Sequence, residues 1–220
     1  MPLPSDNGLP ICLRQPIPEI EWAARTVLAA MESHLAGDIQ RAGSLIESTN
    51  IIEIRNWTES LWGKDSAYVD PRVVAGAPRQ LSKAERIPVR MPDRANKERL
   101  LAQQGWHCRF CGIPLIRPET RTWIRSKYKD ALPWGTKNNE QHAAFQAMWL
   151  QYDHLVPHAR GGTNDLENIL ITCAPCNYAR MHYTIEELGL EDPRLRRRVE
   201  SSWEGLESFR IKASVHGAQK

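Results

Sequence analysis

The stretch YDHLVPHARGGTNDLENILITCAPCNYARMH, residues 152–182, decides how the chain is interpreted. The pair Asp153-His154 follows its first residue, Tyr152, and Asn168 lies fourteen positions after the histidine. Asn177 lies nine positions further on, directly after a cysteine. A carboxylate, an imidazole and two amides in one short segment suit a hydrolytic metal site, because hard cations bind oxygen ligands and an imidazole can accept a proton at neutral pH.

Two CxxC pairs accompany these polar residues. Cys173 and Cys176 lie within the stretch, and Cys108 and Cys111 form CRFC upstream. Zinc prefers four ligands in a tetrahedron, and four thiolates leave no open position, so the pattern predicts a structural site. The 62 positions from Cys111 to Cys173 exceed the spacing of a compact ribbon, which we attribute to a helical insert. The alternative is four unrelated buried cysteines.

The composition is that of an ordinary globular protein, with 41% hydrophobic and 25% charged residues in 220. No apolar run approaches the roughly 20 residues that cross a bilayer, and we expect no membrane association. The first residues lack a signal-peptide pattern, which favours the cytoplasm, where cysteines stay reduced. The fifth cysteine, Cys12, is expected to have no role. A net charge of +3 is too small to indicate a nucleic-acid partner by itself.

The first half of the chain predicts helices and a linker. Apolar residues recur at helical spacing from Pro18, a second helix follows Gly37 with Asp38 as N-cap, and Asn50 is expected to cap a third helix. Residues 64–92 are irregular and predict a linker or a wrapping arm with one short strand at 87–91. Asp93 is expected to cap the next helix.

The second half predicts an insert, the central motif and two closing helices. The insert, 117–149, should hold helices at 118–132 and 137–150. Strands are expected at 150–157 and 169–172, a turn at Gly161-Gly162, a helix from Pro175 through Arg180, and helices at 184–189 and 192–209. Basic residues interleaved with Trp123 and Tyr128 suit a phosphate groove or a solvated face: Arg121, Arg125, Lys127 and Lys129. The same two interpretations apply to the run of arginines between 194 and 198.

Asp153 and Asn177 offer oxygen ligands that suit Mg²⁺ or Mn²⁺, and His154 is the natural group to deprotonate a water. One difficulty is that neighbours on a regular strand point to opposite faces. Asp153 and His154 would therefore need a local distortion to act on one phosphate.

The pattern DH-x2-P-x3-GG-x4-EN-x4-C-x2-CN, preceded by C-x2-C, resembles the HNH endonucleases with a ββα-metal fold and a zinc frame. The resemblance covers about residues 94–190. It implies that His154 is the general base, that Asp153 and Asn177 bind the catalytic ion, and that Asn168 braces the loop between the strands. It also implies products with 5′-phosphate and 3′-hydroxyl ends.

The predicted fold is α+β: a ββα-metal core held by the zinc site, with helices before, within and after it. Three regions follow: an N-terminal helical segment and linker (1–92), a nuclease domain (93–190) with the insert 117–149, and a C-terminal helix and tail (191–220). The predicted site residues are His154, Asn168 and Asn177 for catalysis, Asp153 and Asn177 for Mg²⁺ or Mn²⁺, Cys108, Cys111, Cys173 and Cys176 for Zn²⁺, and Arg121, Arg125, His158, Arg160 and Arg180 for DNA.

The predicted function is metal-dependent hydrolysis or nicking of DNA, most simply double-stranded. The resemblance implies bacterial defence against phage or foreign DNA, with protein partners of a defence or restriction system. The alternatives are an inactive zinc-held DNA-binding module and a subunit of a larger nuclease complex. A free nuclease centre would threaten its host, so we also expect the segment before Asp93 to restrain the active site or to dock a partner that releases it.

Overall fold

In the computed structural model, residues 8–62 and 65–210 are described. They form an α+β fold in which helices surround a two-stranded antiparallel sheet, as predicted. The helices are α1 Pro18–Leu35, α2 Ile39–Ser48, α3 Ile52–Ser60, α4 Arg94–Gln104, α5 Pro118–Lys127, α6 Ala143–Ala147 and α7 Ala174–Arg180, and the strands are β1 Leu150–His154 and β2 Ile169–Cys173. Within the described parts of the chain, no helix is long and apolar enough to cross a membrane.

The N-terminal helices begin where local signals predict. Pro18 opens α1, where its missing N–H costs nothing, and Ile20 and Val27 are buried on one stripe of that helix. The Asp38 side chain accepts a hydrogen bond from Arg41 N at 3.0 Å and caps α2. Asp93 caps α4 in the same way through Asn96 N at 2.8 Å. These three predictions are confirmed.

The third helix has a different cap from the predicted one. Ile51 precedes α3, and Asn50 instead accepts a hydrogen bond from Ala143 N at 2.8 Å, at the start of α6. Arg55 on α3 also donates to Asn138 O at 2.9 Å and to Gln141 O at 2.8 Å. The buried residues of the N-terminal helices and of the cysteine region accordingly belong to one hydrophobic cluster.

His142 is a buried histidine of the insert that contacts the N-terminal helices. Its Nε2 lies 3.0 Å from Ile46 O at the end of α2, and the residue is fully buried. Burial lowers the pKa of His142 to about 4. The folded protein therefore holds this histidine neutral, while the unfolded chain takes up a proton as the pH falls through the ordinary histidine pKa of about 6.5.

We expect this histidine to make the protein less stable in mild acid. The unfolded chain binds the extra proton between about pH 6.5 and 4, so stability is full above that window and lost as the pH falls through it. His142→Gln should remove about 2 kcal/mol of the pH 7 to pH 5 difference in unfolding free energy. Urea unfolding of both proteins at the two pH values measures this. An equal pH dependence in both would contradict it.

Several predicted elements are shorter than expected or absent. In the insert, α5 ends at Lys127, where Tyr128 leaves helical geometry, and only a 3-10 turn at Asn138–Glu140 and the short α6 replace the predicted helix 137–150. β1 ends at His154 instead of residue 157. Residues 184–189 form a hydrogen-bonded turn in place of the predicted helix. In each case the chain turns to make tertiary contacts that local propensity does not reveal.

The predicted helix at 192–209 is wrong, because residues 191–207 run as an irregular arm over the CRFC turn. Arg109 donates to Pro193 O and Arg196 O, both at 2.5 Å, and Trp203 Nε1 donates to Leu115 O at 2.8 Å. Gly205 has φ of +64°, which is incompatible with a continuing helix. The described residues of the C-terminal region therefore cover the cysteine site without forming the expected helix.

The predicted strand at 87–91 is also absent. Pro88 lacks an N–H, so it cannot donate to a sheet ladder. The carbonyls of Ile87 and Val89 are instead bound by side chains of the central motif. The prediction of a wrapping arm therefore describes this segment better than the prediction of a strand.

Candidate active site

The four cysteines of the CxxC pairs meet in one buried cluster. Cys108 and Cys111 lie in a tight turn, in which Gly112 N donates to Cys108 O at 2.9 Å and Gly112 has φ of +78°. Cys173 is the last residue of β2 and Cys176 lies in the first turn of α7. The sheet and helix therefore bring the second pair against the first.

The cluster has the dimensions of a four-thiolate zinc site. All four Sγ atoms lie within 4.8 Å of one another, and Cys111 Sγ is 3.6 Å from Cys173 Sγ. A tetrahedron with Zn–S bonds of about 2.3 Å has S···S edges of roughly 3.8 Å. The four cysteines could therefore hold a zinc ion. Cys12 is buried outside this group, and burial raises the pKa of its thiol, which makes it a poor ligand.

The sheet and α7 build a ββα unit with a cleft beside it. β1 pairs antiparallel with β2, with His154 opposite Ile169, and α7 packs on both strands. The cleft has a volume of about 450 Å³. Asp153, His154 and Asn177 all line it, although the first two are neighbours on β1. We expect neighbouring side chains on a strand to point to opposite faces. In the structure the side chains of Asp153 and His154 nevertheless both reach the cleft.

The cleft is also lined by residues of β1 and of the turn after it, by the residue that follows α7, and by the irregular arm before α4, which lies outside the ββα unit. They are Tyr152, Pro157, His158, Ala159, Met181, Lys83, Arg86, Ile87, Pro88, Arg90 and Met91. The prediction of site residues from sequence missed the arm entirely. Its composition of prolines, arginines and valines carries no catalytic pattern.

The imidazole of His154 is held in one orientation. Its Nε2 lies 3.0 Å from Asn164 Oδ1, and Asn164 Nδ2 donates to Val89 O at 2.7 Å. Because the Asn164 amide must donate to that carbonyl, its oxygen faces His154 and Nε2 carries the proton. Nδ1 is therefore the ring nitrogen that keeps a lone pair.

Burial favours the neutral form of that imidazole. His154 is only 4% exposed, and burial lowers the pKa of its side chain, against smaller opposing effects of the Asn164 hydrogen bond and the Asp153 charge. The pKa is lowered further by Arg90 and by His158, whose ring centre lies 5.7 Å from that of His154. A neutral imidazole with a free nitrogen is the form that can accept a proton.

The two predicted ligands of a divalent ion keep oxygen atoms available. Arg180 binds both carboxylate oxygens of Asp153, at 2.8 and 2.7 Å, and also donates to the carbonyl of His154. A carboxylate accepts about four hydrogen bonds or ligand bonds, so each oxygen retains a lone pair. Asn177 donates through Nδ2 to Gln151 Oε1 at 3.5 Å, and its Oδ1 accepts no hydrogen bond from the residues that the structure describes. The donor set fits a hard cation such as Mg²⁺.

Comparison with known families matches residues 138–182 to the HNH endonuclease family. Residues 138–182 therefore resemble an HNH endonuclease domain. The matched segment contains β1, β2 and α7 but neither the first CxxC pair nor the arm before α4. Comparisons with curated proteins and with solved structures give no match.

Asn168, the middle residue of the HNH pattern, holds the loop between the two strands. Its Oδ1 accepts from Val156 N at 2.8 Å, and its Nδ2 donates to Thr163 O at 2.9 Å and to Val156 O at 3.2 Å. Gly162 lies against this network, where a side chain would collide with Val156 O. These contacts give Asn168 the bracing position implied by the resemblance, while a part for it in catalysis stays a prediction.

Three of the five residues predicted to contact DNA bind other side chains of the protein. Arg180 is 1% exposed and bound to Asp153. Arg160 pairs with Glu187 at 3.0 Å. Arg121 is 9% exposed and lies 3.6 Å from the ring centre of Trp134, where burial lowers its pKa to about 10. The structure thus gives these three guanidiniums partners other than DNA.

The other two predicted DNA contacts, Arg125 and His158, are only partly buried. His158 also lines the cleft. His158 Nε2 also lies 3.0 Å from Ile87 O, so of these two side chains it is the one with a backbone partner beside the cleft.

Proposed function

We propose that this protein is a metal-dependent endonuclease that hydrolyses phosphodiester bonds in DNA. The observation that carries the proposal is the cleft shared by Asp153, His154 and Asn177, beside a four-cysteine cluster, in a chain with an HNH domain. The aspartate and the asparagine present oxygen atoms, and the histidine presents a nitrogen lone pair. This combination suits hydrolysis of a phosphodiester.

In the proposed reaction, His154 Nδ1 takes a proton from a water molecule as its oxygen attacks the phosphorus. The bond between phosphorus and the 3′ oxygen breaks as the new bond forms, and the leaving 3′ oxygen takes a proton from a water molecule, which leaves a 3′-hydroxyl and a 5′-phosphate. A divalent cation held by Asp153 and Asn177 would supply the positive charge that offsets negative charge on the phosphate and on the leaving oxygen. Arg180 orients the Asp153 carboxylate through its two hydrogen bonds to the carboxylate oxygens.

DNA is the proposed substrate, because it is the substrate implied by the resemblance on which the residue roles rest. Mg²⁺ or Mn²⁺ is the proposed catalytic ion, and zinc the structural one. Arg125 and His158 are proposed to contact phosphates, which position a duplex without reading its sequence. A role in defence against phage or foreign DNA, and partners in such a system, stay predictions.

Incubation of the purified protein with supercoiled plasmid tests the proposal. We expect cleavage with Mg²⁺ or Mn²⁺ and none with EDTA, since Asp153 and Asn177 need the cation to act on a phosphate. The ratio of nicked to linear product reports whether one or both strands are cut, and a parallel RNA substrate tests the choice of nucleic acid. Binding of DNA without cleavage under any of these metals would favour the inactive DNA-binding module.

A further inference from the structure

The segment before α4 crosses the HNH domain as an ordered strap, which we define as residues 78–91. Leu81 N donates to Ala159 O at 2.7 Å, and Arg160 Nη1 donates to Pro78 O at 2.8 Å. A 3-10 turn at Lys83–Glu85 lies within the strap. These hydrogen bonds attach the strap to the turn that follows β1. It lies outside the segment that matches the HNH family.

The main chain of the strap holds two side chains of the HNH motif. Ile87 O lies 3.0 Å from His158 Nε2, and Val89 O accepts from Asn164 Nδ2 at 2.7 Å. Asn164 in turn holds the imidazole of His154. A hydrogen-bonded chain therefore runs from the strap through Asn164 to the proposed general base.

The strap also brings an unpaired cation to the cleft. Arg90 is exposed, lines the cleft, and makes no hydrogen bond or ion pair with any residue in 8–62 or 65–210. Arg90 lies on the same cleft as His154. Burial is the main cause of the lowered pKa of His154, and the Arg90 charge lowers that pKa further; burial raises the pKa of Tyr178 on α7, and the Arg90 charge opposes that rise. A cation beside the reacting groups without a carboxylate partner is suited to an anionic ligand.

We propose that the strap completes the active site, with Arg90 contacting a phosphate of the bound strand and Asn164 positioning His154. The inference rests on the proposed nuclease function and identifies two residues beyond the predicted site. The phosphate contact acts on DNA binding. The positioning contact acts on the rate of the bound complex, because it fixes which imidazole nitrogen faces the water.

The opposite role, restraint of the active site, fits the geometry less well. The strap forms one wall of the cleft and leaves about 450 Å³ open beside His154, within the size range of ordinary ligand sites. Its charged residues at that wall are basic: Lys83, Arg86 and Arg90. A basic wall attracts a nucleic-acid backbone instead of excluding it.

The Arg90 contact is tested by DNA binding in the full-length His154→Ala protein, which should bind without cutting. The probe is a short DNA duplex with Mg²⁺, titrated at several salt concentrations. Arg90→Gln should weaken binding roughly tenfold and reduce the slope of log affinity against log salt by about one. Arg41→Gln, an equal change of charge on α2 and away from the cleft, should leave both unchanged.

The Asn164 contact is tested in the active protein by separating kcat from KM. Asn164→Ala should lower kcat by roughly 10–100-fold with KM, zinc content and Tm unchanged. In the same assay Arg90→Gln should act mainly on KM. Unchanged kcat in Asn164→Ala, or unchanged affinity and salt slope in Arg90→Gln, would overturn the inference. Faster cleavage by Arg90→Gln would overturn it too, in favour of restraint.

These outcomes distinguish a failure of the strap inference from a failure of the proposed nuclease function. If the wild-type protein neither cuts nor binds DNA, the proposed nuclease function fails. If the wild type cuts and both Arg90→Gln and Asn164→Ala behave like it, only the strap inference fails.

Discussion

Replacing His154 by alanine should lower the rate of plasmid cleavage by about 10²–10⁴-fold. The imidazole lines the cleft with Asp153 and Asn177, and its Nδ1 keeps the lone pair that would take the proton of the attacking water. Alanine offers no base at that position. The rate at saturating DNA and Mg²⁺ measures the loss, and zinc content and Tm should stay close to those of the wild type, because the zinc ligands are untouched.

His182→Ala is the matched control. That histidine contacts Tyr183 and does not line the cleft, so its removal should preserve the rate. Wild-type cleavage by His154→Ala would refute the assignment of the general base. An equal loss in both variants would show that the effect comes from the fold and not from the chemistry.

Replacing Cys108 or Cys176 by serine should abolish zinc binding and unfold the HNH region. A serine hydroxyl stays protonated at neutral pH and is a poor zinc ligand, so the tetrahedron loses a member. Zinc in a structural site contributes about 10–16 kcal/mol, which is as large as the whole stability of a typical domain. Cys176 also precedes Asn177, so the loss of zinc should displace a proposed metal ligand.

Metal analysis and thermal unfolding measure this effect. We expect about one zinc per wild-type chain, none in the two serine variants, and a fall in Tm of well over 10 °C. Cys12→Ser is the matched control, because Cys12 is buried but lies outside the cluster, and its thiol donates to Arg14 O. Either a folded, active Cys176→Ser protein without zinc or zinc loss in Cys12→Ser would be inconsistent with the four-cysteine site.

The site could be predicted where its determinants are close together in the sequence. The CxxC spacing, the Asp153-His154 pair and the cysteine before Asn177 place ligands within a few residues, and short turns and a strand–helix junction carry them into position. Asn164 could not be singled out in the same way. An asparagine in a glycine-rich loop is an ordinary turn residue, and its role depends on Val89, 75 positions away.

The partners of the arginines could not be predicted from the local sequence either. On the sequence alone, DNA contact is equally compatible with each of four arginines: Arg90, Arg121, Arg160 and Arg180. In the structure Arg180 binds Asp153, Arg160 pairs with Glu187, and Arg121 lies over the rings of two tryptophans. Arg90 lines the cleft and has no hydrogen-bond or ion-pair partner among the residues that the structure describes. A long guanidinium side chain takes its partner from whatever the fold brings near it, so the local sequence carries little information about its choice.

Local sequence signals were enough to predict the α+β class, the cysteine cluster, the two strands with their following helix, and the helix starts at Pro18, Asp38 and Asp93. Each depends on spacing, caps or alternation within a few residues. The arm at 191–207 and the position of the strap at the cleft are visible only in the folded protein. Apart from the 3-10 turn at Lys83–Glu85, these two segments are held mainly by carbonyl and side-chain contacts to residues far away in the chain.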